Sequence, residues 1–237
     1  MVCDALARGT CALATALTAS ALHAGQRGKP LTTTNQIGPF MARRDTQFIQ
    51  GAYYHIYNRG ANRTSIFLDE ADFLDTLKRM KEYAARFSIT IIAYCLMPNH
   101  YHWLVRQDGL TEARLLPQRV FNGYVKAFNR RHQRTGTLFE SEFKANPVEE
   151  DGYLRHLCRY IHINPVKDGF TTAPELWPYS NYLEWIKARN GTLVDRQFID
   201  EFFPDMYKYQ QYVQDYFGQR KSAKEKEFDL YIAQFEK

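Results

Sequence analysis

His100 and His102 flank Tyr101 in the segment HYHWLVRQ, residues 100–107. This segment reads as a strand, and side chains at i and i+2 of a strand leave the same face. The two imidazoles therefore project together at a spacing suited to one metal ion. The same pattern also serves two half-buried histidines acting only as hydrogen-bond partners. A second set lies in RYIHINPV, residues 159–166, where Tyr160 and Asn164 stand four apart and share one face of a helix. The Asn164 carboxamide oxygen can complete a nitrogen and oxygen shell with the histidines, a donor set that suits Mg²⁺ or Mn²⁺ and admits Zn²⁺. Tyr160 then sits one turn from the metal. His156 sits one turn the other way, where it could accept or relay a phenolic proton. The structural alternatives are a core tyrosine at Tyr160 and a helix-ending residue at Asn164, just before Pro165.

A phenol is a poor nucleophile at neutral pH until its proton is removed or its pKa lowered. A divalent ion can polarise a phosphodiester oxygen and align the leaving group. Attack by Tyr160 would link it to one DNA end, free the other, and conserve the energy of the broken bond for rejoining. Such a reaction needs no ATP, and the sequence contains no GxxxxGK[ST] phosphate-binding loop.

The surrounding composition fits a polynucleotide partner. Net charge is +5 over 237 residues, a mild excess whose distribution matters more than its sum. Arg119, Lys126, Arg130, Arg131, Arg134 and Lys144 crowd one stretch, interleaved with Phe121, Tyr124, Phe128 and Phe139. Cations neutralise phosphates and flat rings stack on unpaired bases, so the mixture suits a single strand. A solvated amphipathic helix accounts for the same residues equally well. An apolar fraction of 45% excludes global disorder, and no run of about 18 strongly apolar residues offers a membrane span. Four scattered cysteines without a CxxC pair exclude a disulfide framework or a cysteine zinc ribbon, and fit a reducing cytosol.

The elements that must position these groups follow from periodicity. Residues 52–60, AYYHIYNRG, read as a strand ending at Gly60. Residues 69–87 read as a helix with Asp69 as N-cap. Residues 89–97 form a buried strand, and Pro98-Asn99 turns it into the histidine strand 100–107. A basic helix spans 112–133, an extended segment 138–149, and a helix 150–163 stopped by Pro165. The order β-α-β-β-α-β-α predicts an α+β, ferredoxin-like (RRM-like) split βαβ antiparallel sheet with helices on one face, plus a C-terminal helical extension. The expected division is 1–44, 45–180 and 181–237. Residues 1–44 hold a weak signal-peptide-like stretch whose basic flank is poor; a flexible tail, or sequence upstream of a true start at Met41, is preferred.

AYCLMPNHYHWLV (93–105) followed by YLRHLCRYIHINPVKDGF (153–170) resembles the REP-associated tyrosine transposases, within the single-tyrosine HUH transposases. YYHIYNRGANRTSIF (53–67) and FNRRHQRTGTLFESEFK (128–144) resemble the family's first strand and its basic helix with the following strand. The resemblance implies metal ligands at His100, His102 and Asn164, and a nucleophile at Tyr160. It implies cleavage and joining of single-stranded DNA at hairpins such as repetitive extragenic palindromes, through a 5′-phosphotyrosine intermediate with Mg²⁺ or Mn²⁺. It further implies a bacterial protein of the cytoplasm, at the nucleoid, with a monomer preferred over a helix-exchanged dimer. Lys126, Arg130, Arg131, Arg134 and Lys144, with Arg59 and Arg63, are the expected DNA contacts. Where the family usually carries an aromatic then Gln-Gly-Arg-Phe-Lys, this chain has Phe139-Glu140-Ser141-Glu142-Phe143-Lys144, with two acids. Two other readings remain open: a chemically inactive hairpin-binding regulator, and a phosphodiesterase whose ion activates water.

Overall fold

The computed structural model describes residues 46–218 and 221–236, so the expectations for residues 1–44 lie outside the described residues. The chain runs β1 (Tyr53–Arg59), α1 (Glu70–Phe87), β2 (Ile89–Met97), β3 (His100–Gln107), α2 (Leu115–Arg131), β4 (Lys144–Val148) and α3 (Asp151–Lys167). Four helices follow: α4 (Tyr182–Trp185), α5 (Arg196–Phe202), α6 (Met206–Gln214) and α7 (Ala223–Glu236). The strands form one antiparallel sheet in the order β2-β3-β1-β4, the ferredoxin-like arrangement expected from the element order. Asp69 caps α1 as anticipated, its carboxylate accepting from the Asp72 amide at 3.0 Å.

Both faces of the sheet are covered. Tyr101, Trp103 and Val105 of β3 pack with α1 and α2, around Met80, Val120, Phe121 and Tyr124. Leu104 packs on the opposite face with Leu154, Leu157 and Ile161 of α3, and α4–α7 extend that core through Trp185, Phe198, Tyr209 and Ile232. Double-sided burial explains why β2 reads as an unbroken apolar run, ITIIAYCLM. A bulge between Ile91 and Ala93 shifts the alternation within it. The Ile92 carbonyl at that bulge accepts from Asn181 Nδ2 (2.8 Å) and Trp185 Nε1 (3.2 Å), so the irregular backbone stays satisfied.

Three boundaries differ from the sequence reading. The basic helix starts at Leu115 and ends at Arg131. Only Lys144–Val148 of the segment 138–149 is strand, with Phe139 making one bridge to Gly60. Most consequentially, α3 does not stop before Pro165 but continues to Lys167. Proline removes one backbone donor, a loss confined to a single hydrogen bond this close to a helix end. The chain then closes through Gly169 at φ 76°, and the Phe170 amide returns to the Pro165 carbonyl at 2.8 Å.

His162, on the apolar side of α3, is fully buried between Tyr209 Oη (2.5 Å from Nδ1) and Asn181 Oδ1 (2.9 Å from Nε2). Burial lowers its pKa to about 4, against a weaker opposing hydrogen bond to the Asn181 carboxamide oxygen. The neutral ring is the folded form, so the unfolded chain takes up the proton first as pH falls. This contribution is intact above pH 6.5 and is lost between pH 6.5 and about 4, by about 3 kcal/mol at most. Thermal unfolding followed by circular dichroism should show a midpoint that is level from pH 8 to 7 and drops below 6.5. A midpoint rising on acidification would contradict the assignment.

Candidate metal and nucleophile site

The hairpin turn that presents His100 is held from outside. The Gly60 amide donates to the Asn99 carbonyl at 2.8 Å, and the amides of Ile66 and Phe67 donate to the Pro98 carbonyl at 2.7 and 3.0 Å. A side chain on Gly60 would strike the Thr64 carbonyl, so the tight approach needs glycine. Asn99 Oδ1 lies 2.7 Å from His100 Nδ1. An amide oxygen only accepts, so Nδ1 carries the proton and Nε2 presents its lone pair. That lone pair faces Asn164 Oδ1 at 3.4 Å and Asp168 Oδ2 at 3.6 Å. Burial keeps His100 below the usual imidazole range, Asp168 opposing that shift.

His102 leaves the same face of β3, its ring edge-on to that of His100 with centroids 5.1 Å apart. Burial, then His100 and His55, depress its pKa well below the usual value. The Tyr160 ring meets the His102 ring edge to face at 5.6 Å. Tyr160, Asn164 and Lys167 form an i, i+4, i+7 stripe on α3, and Lys167 Nζ donates to Tyr160 Oη at 2.8 Å. Burial also lowers the Lys167 pKa. Two neutral imidazoles and a carboxamide oxygen thus converge without a bridging proton at His100, a donor chemistry that fits a hard or borderline divalent cation. A cleft of about 360 Å³ opens beside them, walled by Arg59, Arg63, Asn99, His100, His102 and Lys144.

The expected residues therefore divide. His100, His102, Asn164 and Tyr160 come together, and Arg59, Arg63 and Lys144 border the cleft that the two histidines line. His156 does not face the Tyr160 hydroxyl: its Nε2 is 3.0 Å from Asp229 of α7. Lys126 and Arg130 are exposed on α2, over the other face of the sheet. Arg134 sits over the Phe128 ring at 5.5 Å, and Arg131 is engaged by Asp72 at 2.5 Å. Sequence reading missed Lys167 and Asp168 because Pro165 was taken to end the helix. It also missed His55, whose Nε2 lies 3.0 Å from His102 Nδ1.

Residues 48–164 match the family model described as transposase, IS200-like. The chain belongs to the IS200-like transposases. Its resemblance to the REP-associated members holds in both comparisons. A protein of Haemophilus influenzae assigned as a REP-associated tyrosine transposase is 26% identical over 162 residues, 62% of this transposase and 87% of the relative. A solved structure of a REP-associated tyrosine transposase bound to a REP hairpin aligns with a TM-score of 0.53 at 17% identity, over 65% of this chain and 94% of that one; the likeness is one of fold.

Among the described residues, one other group could attract a cation: Asp69, Asp72 and His132 offer ligand atoms within 4.8 Å of one another. Protein donors already engage these oxygens. Asp72 is buried and accepts from the Leu68 amide (3.0 Å), Arg131 (2.5 Å) and His132 (2.9 Å), while Asp69 caps α1. This transposase uses the cluster to tie α1 to α2. Asp72→Ala should lower stability by about 3 kcal/mol in urea unfolding, by stranding Arg131 and His132. Calorimetric Mn²⁺ affinity should stay unchanged, and a loss of Mn²⁺ binding would reassign the cluster.

Proposed function

We propose that the chain cleaves and rejoins single-stranded DNA at hairpin-forming sequences through a 5′-phosphotyrosine at Tyr160, with His100, His102 and Asn164 holding Mg²⁺ or Mn²⁺. The observation that carries this reading is the approach of His100 Nε2 to Asn164 Oδ1, 3.4 Å across a strand and a helix 64 residues apart, with Tyr160 one turn away. Family membership and a relative solved with a REP hairpin support DNA hairpins as the substrate class.

The Tyr160 oxygen forms a bond to phosphorus as the bond from phosphorus to the 3′ oxygen breaks, leaving a 3′ hydroxyl. Attack by a 3′ hydroxyl on the phosphotyrosine reverses the step and joins strands. When bound, the divalent ion would polarise the scissile phosphate and align the leaving oxygen. Lys167 is the group within reach of the phenolic proton: in its neutral form it accepts that proton, and as the ammonium it stabilises charge on Oη. This role replaces the one expected of His156. Arg59, Arg63 and Lys144 lead the phosphates along the cleft.

All the proposed groups come from one chain, which supports a monomer as the working unit. Residues 45–180 carry the site and residues 181–237 brace α3, through Asp229 to His156, Glu225 to Arg159 and Tyr209 to His162. The described residues contain no helix long and apolar enough to cross a membrane, and a DNA substrate fits a place in the bacterial cytoplasm.

A second reading, hairpin binding without chemistry, draws on two observations. Tyr160 is only 2% exposed beneath Lys167, and Glu140 occupies Arg59 at the mouth of the cleft. Incubation with a single-stranded hairpin and Mn²⁺, followed by denaturing electrophoresis, separates the two. The proposal predicts a protein–DNA adduct, none with Tyr160→Phe, and adduct formation about a hundredfold slower with Lys167→Met. A mobility shift without adduct in any metal would favour the regulator. Undiminished cleavage by Tyr160→Phe would favour metal-activated water.

Glu140 accepts from Arg59 Nη2 at 3.1 Å as well as from Nε, and that hydrogen bond holds its carboxyl below the usual range. It competes with phosphate for the guanidinium. Glu140→Gln should tighten hairpin binding several-fold at 50 mM salt and steepen the salt dependence by about one phosphate contact. Fluorescence anisotropy titrations across salt check this, and weaker binding would contradict it.

A further inference from the structure

His55 stands on β1, whose antiparallel register places Tyr57 opposite His102 and His55 opposite Leu104. By strand alternation His55, Tyr57 and Arg59 share the face that carries His100 and His102. His55 is 1% exposed, so burial is complete. Its ring stacks at 5.2 Å on that of His102, and its Nε2 sits 3.0 Å from His102 Nδ1. Its own Nδ1 is buried without a hydrogen-bond partner. A buried imidazole with one nitrogen committed to another imidazole, and the other left bare, is a poor choice for packing alone.

Two neutral imidazoles can share one hydrogen bond in two ways. Either His55 donates from Nε2 and His102 accepts at Nδ1, or the roles are reversed. The first arrangement puts the one His102 ring proton on Nε2, where it blocks a lone pair. The second puts it on Nδ1 and leaves Nε2 able to ligate. Ligating histidines depend on such a partner at the remote nitrogen to fix tautomer and ring orientation. His100 has one in Asn99 Oδ1, at 2.7 Å. For His102, the hydrogen bond at Nδ1 runs to His55 Nε2, 3.0 Å away.

We infer that His55 is a positioning residue that accepts the Nδ1 proton of His102 and so holds that ring ready to bind a divalent cation through Nε2. The inference rests on the proposed metal role of His100, His102 and Asn164. It makes the first strand part of the metal site.

The test compares His55→Gln and His55→Phe in the full chain. The Gln carboxamide oxygen can still accept from Nδ1, whereas Phe fills the volume without an acceptor. Mn²⁺ affinity is measured by electron paramagnetic resonance of unbound ion, with no DNA present. Imidazole ¹⁵N shifts in the Mg²⁺-loaded protein report the His102 tautomer. His55→Phe should weaken Mn²⁺ binding about ten- to hundredfold, and His55→Gln should stay within about threefold of the unaltered chain. The wild-type spectrum should place the His102 proton on Nδ1. Equal affinity in all three proteins, or equal loss in Gln and Phe, would overturn the role, as would a His102 proton on Nε2 with the ion bound. Should His55→Phe fail to fold, the Gln variant and the wild-type spectrum decide alone. His102→Ala run alongside separates the premises: if that variant binds Mn²⁺ normally, the metal site itself is misassigned.

Discussion

The constraint on which the structure turns is electrostatic. The half-buried imidazole of His100 turns Nε2 toward the Asn164 carboxamide oxygen at 3.4 Å and the Asp168 carboxylate at 3.6 Å. Lys167 and Arg59 supply positive charge close by, and the proposed cation would add to it. The fold works to hold them there. Backbone donors from the loop after β1 grip the Pro98-Asn99 turn, and the apolar face of α3 presses onto β2 and β3. The C-terminal helices then fix α3 through polar contacts to His156, Arg159 and His162.

Those same helices explain why four histidines on β3 and α3 play different parts. His162 has both nitrogens satisfied by Tyr209 and Asn181, and its role is to lock α3 to the sheet edge and α6. His156 answers to Asp229, which also receives Tyr216 and Lys221. Only His100 and His102 turn toward the cleft. Residue type alone does not separate these roles; the element each ring faces does.

Much of this was legible in the sequence. The strands Ile89–Met97 and His100–Gln107 end where the Pro98-Asn99 turn predicts, and strict alternation put His100 and His102 on one face. Helical spacing aligned Tyr160 with Asn164. The misses have physical causes. Pro165 was weighed as a stop, but so near a helix end it costs one hydrogen bond, and the extra turn is what delivers Lys167 to Tyr160. His55 was hidden because its meaning depends on the pairing register of β1 with β3, which local patterns do not specify. The basic stretch on α2 looked like one patch, yet Arg131 serves an ion pair with Asp72 while Lys126 and Arg130 lie across the sheet from the cleft.

The acid at Glu140, placed against Arg59, distinguishes this cleft from a plainly cationic one. In the proposed function, Glu140 tunes how strongly phosphate is drawn in, and chemistry and affinity fall to separate residues: the first to the meeting of β3 with α3, the second to the loop before β4.

Anomalous diffraction from crystals soaked in Mn²⁺ tests the central claim most directly. The account predicts one strong peak within bonding distance of His100 Nε2, His102 Nε2 and Asn164 Oδ1. A peak at Asp69, Asp72 and His132 instead, or none beside the two imidazoles at saturating metal, would contradict it.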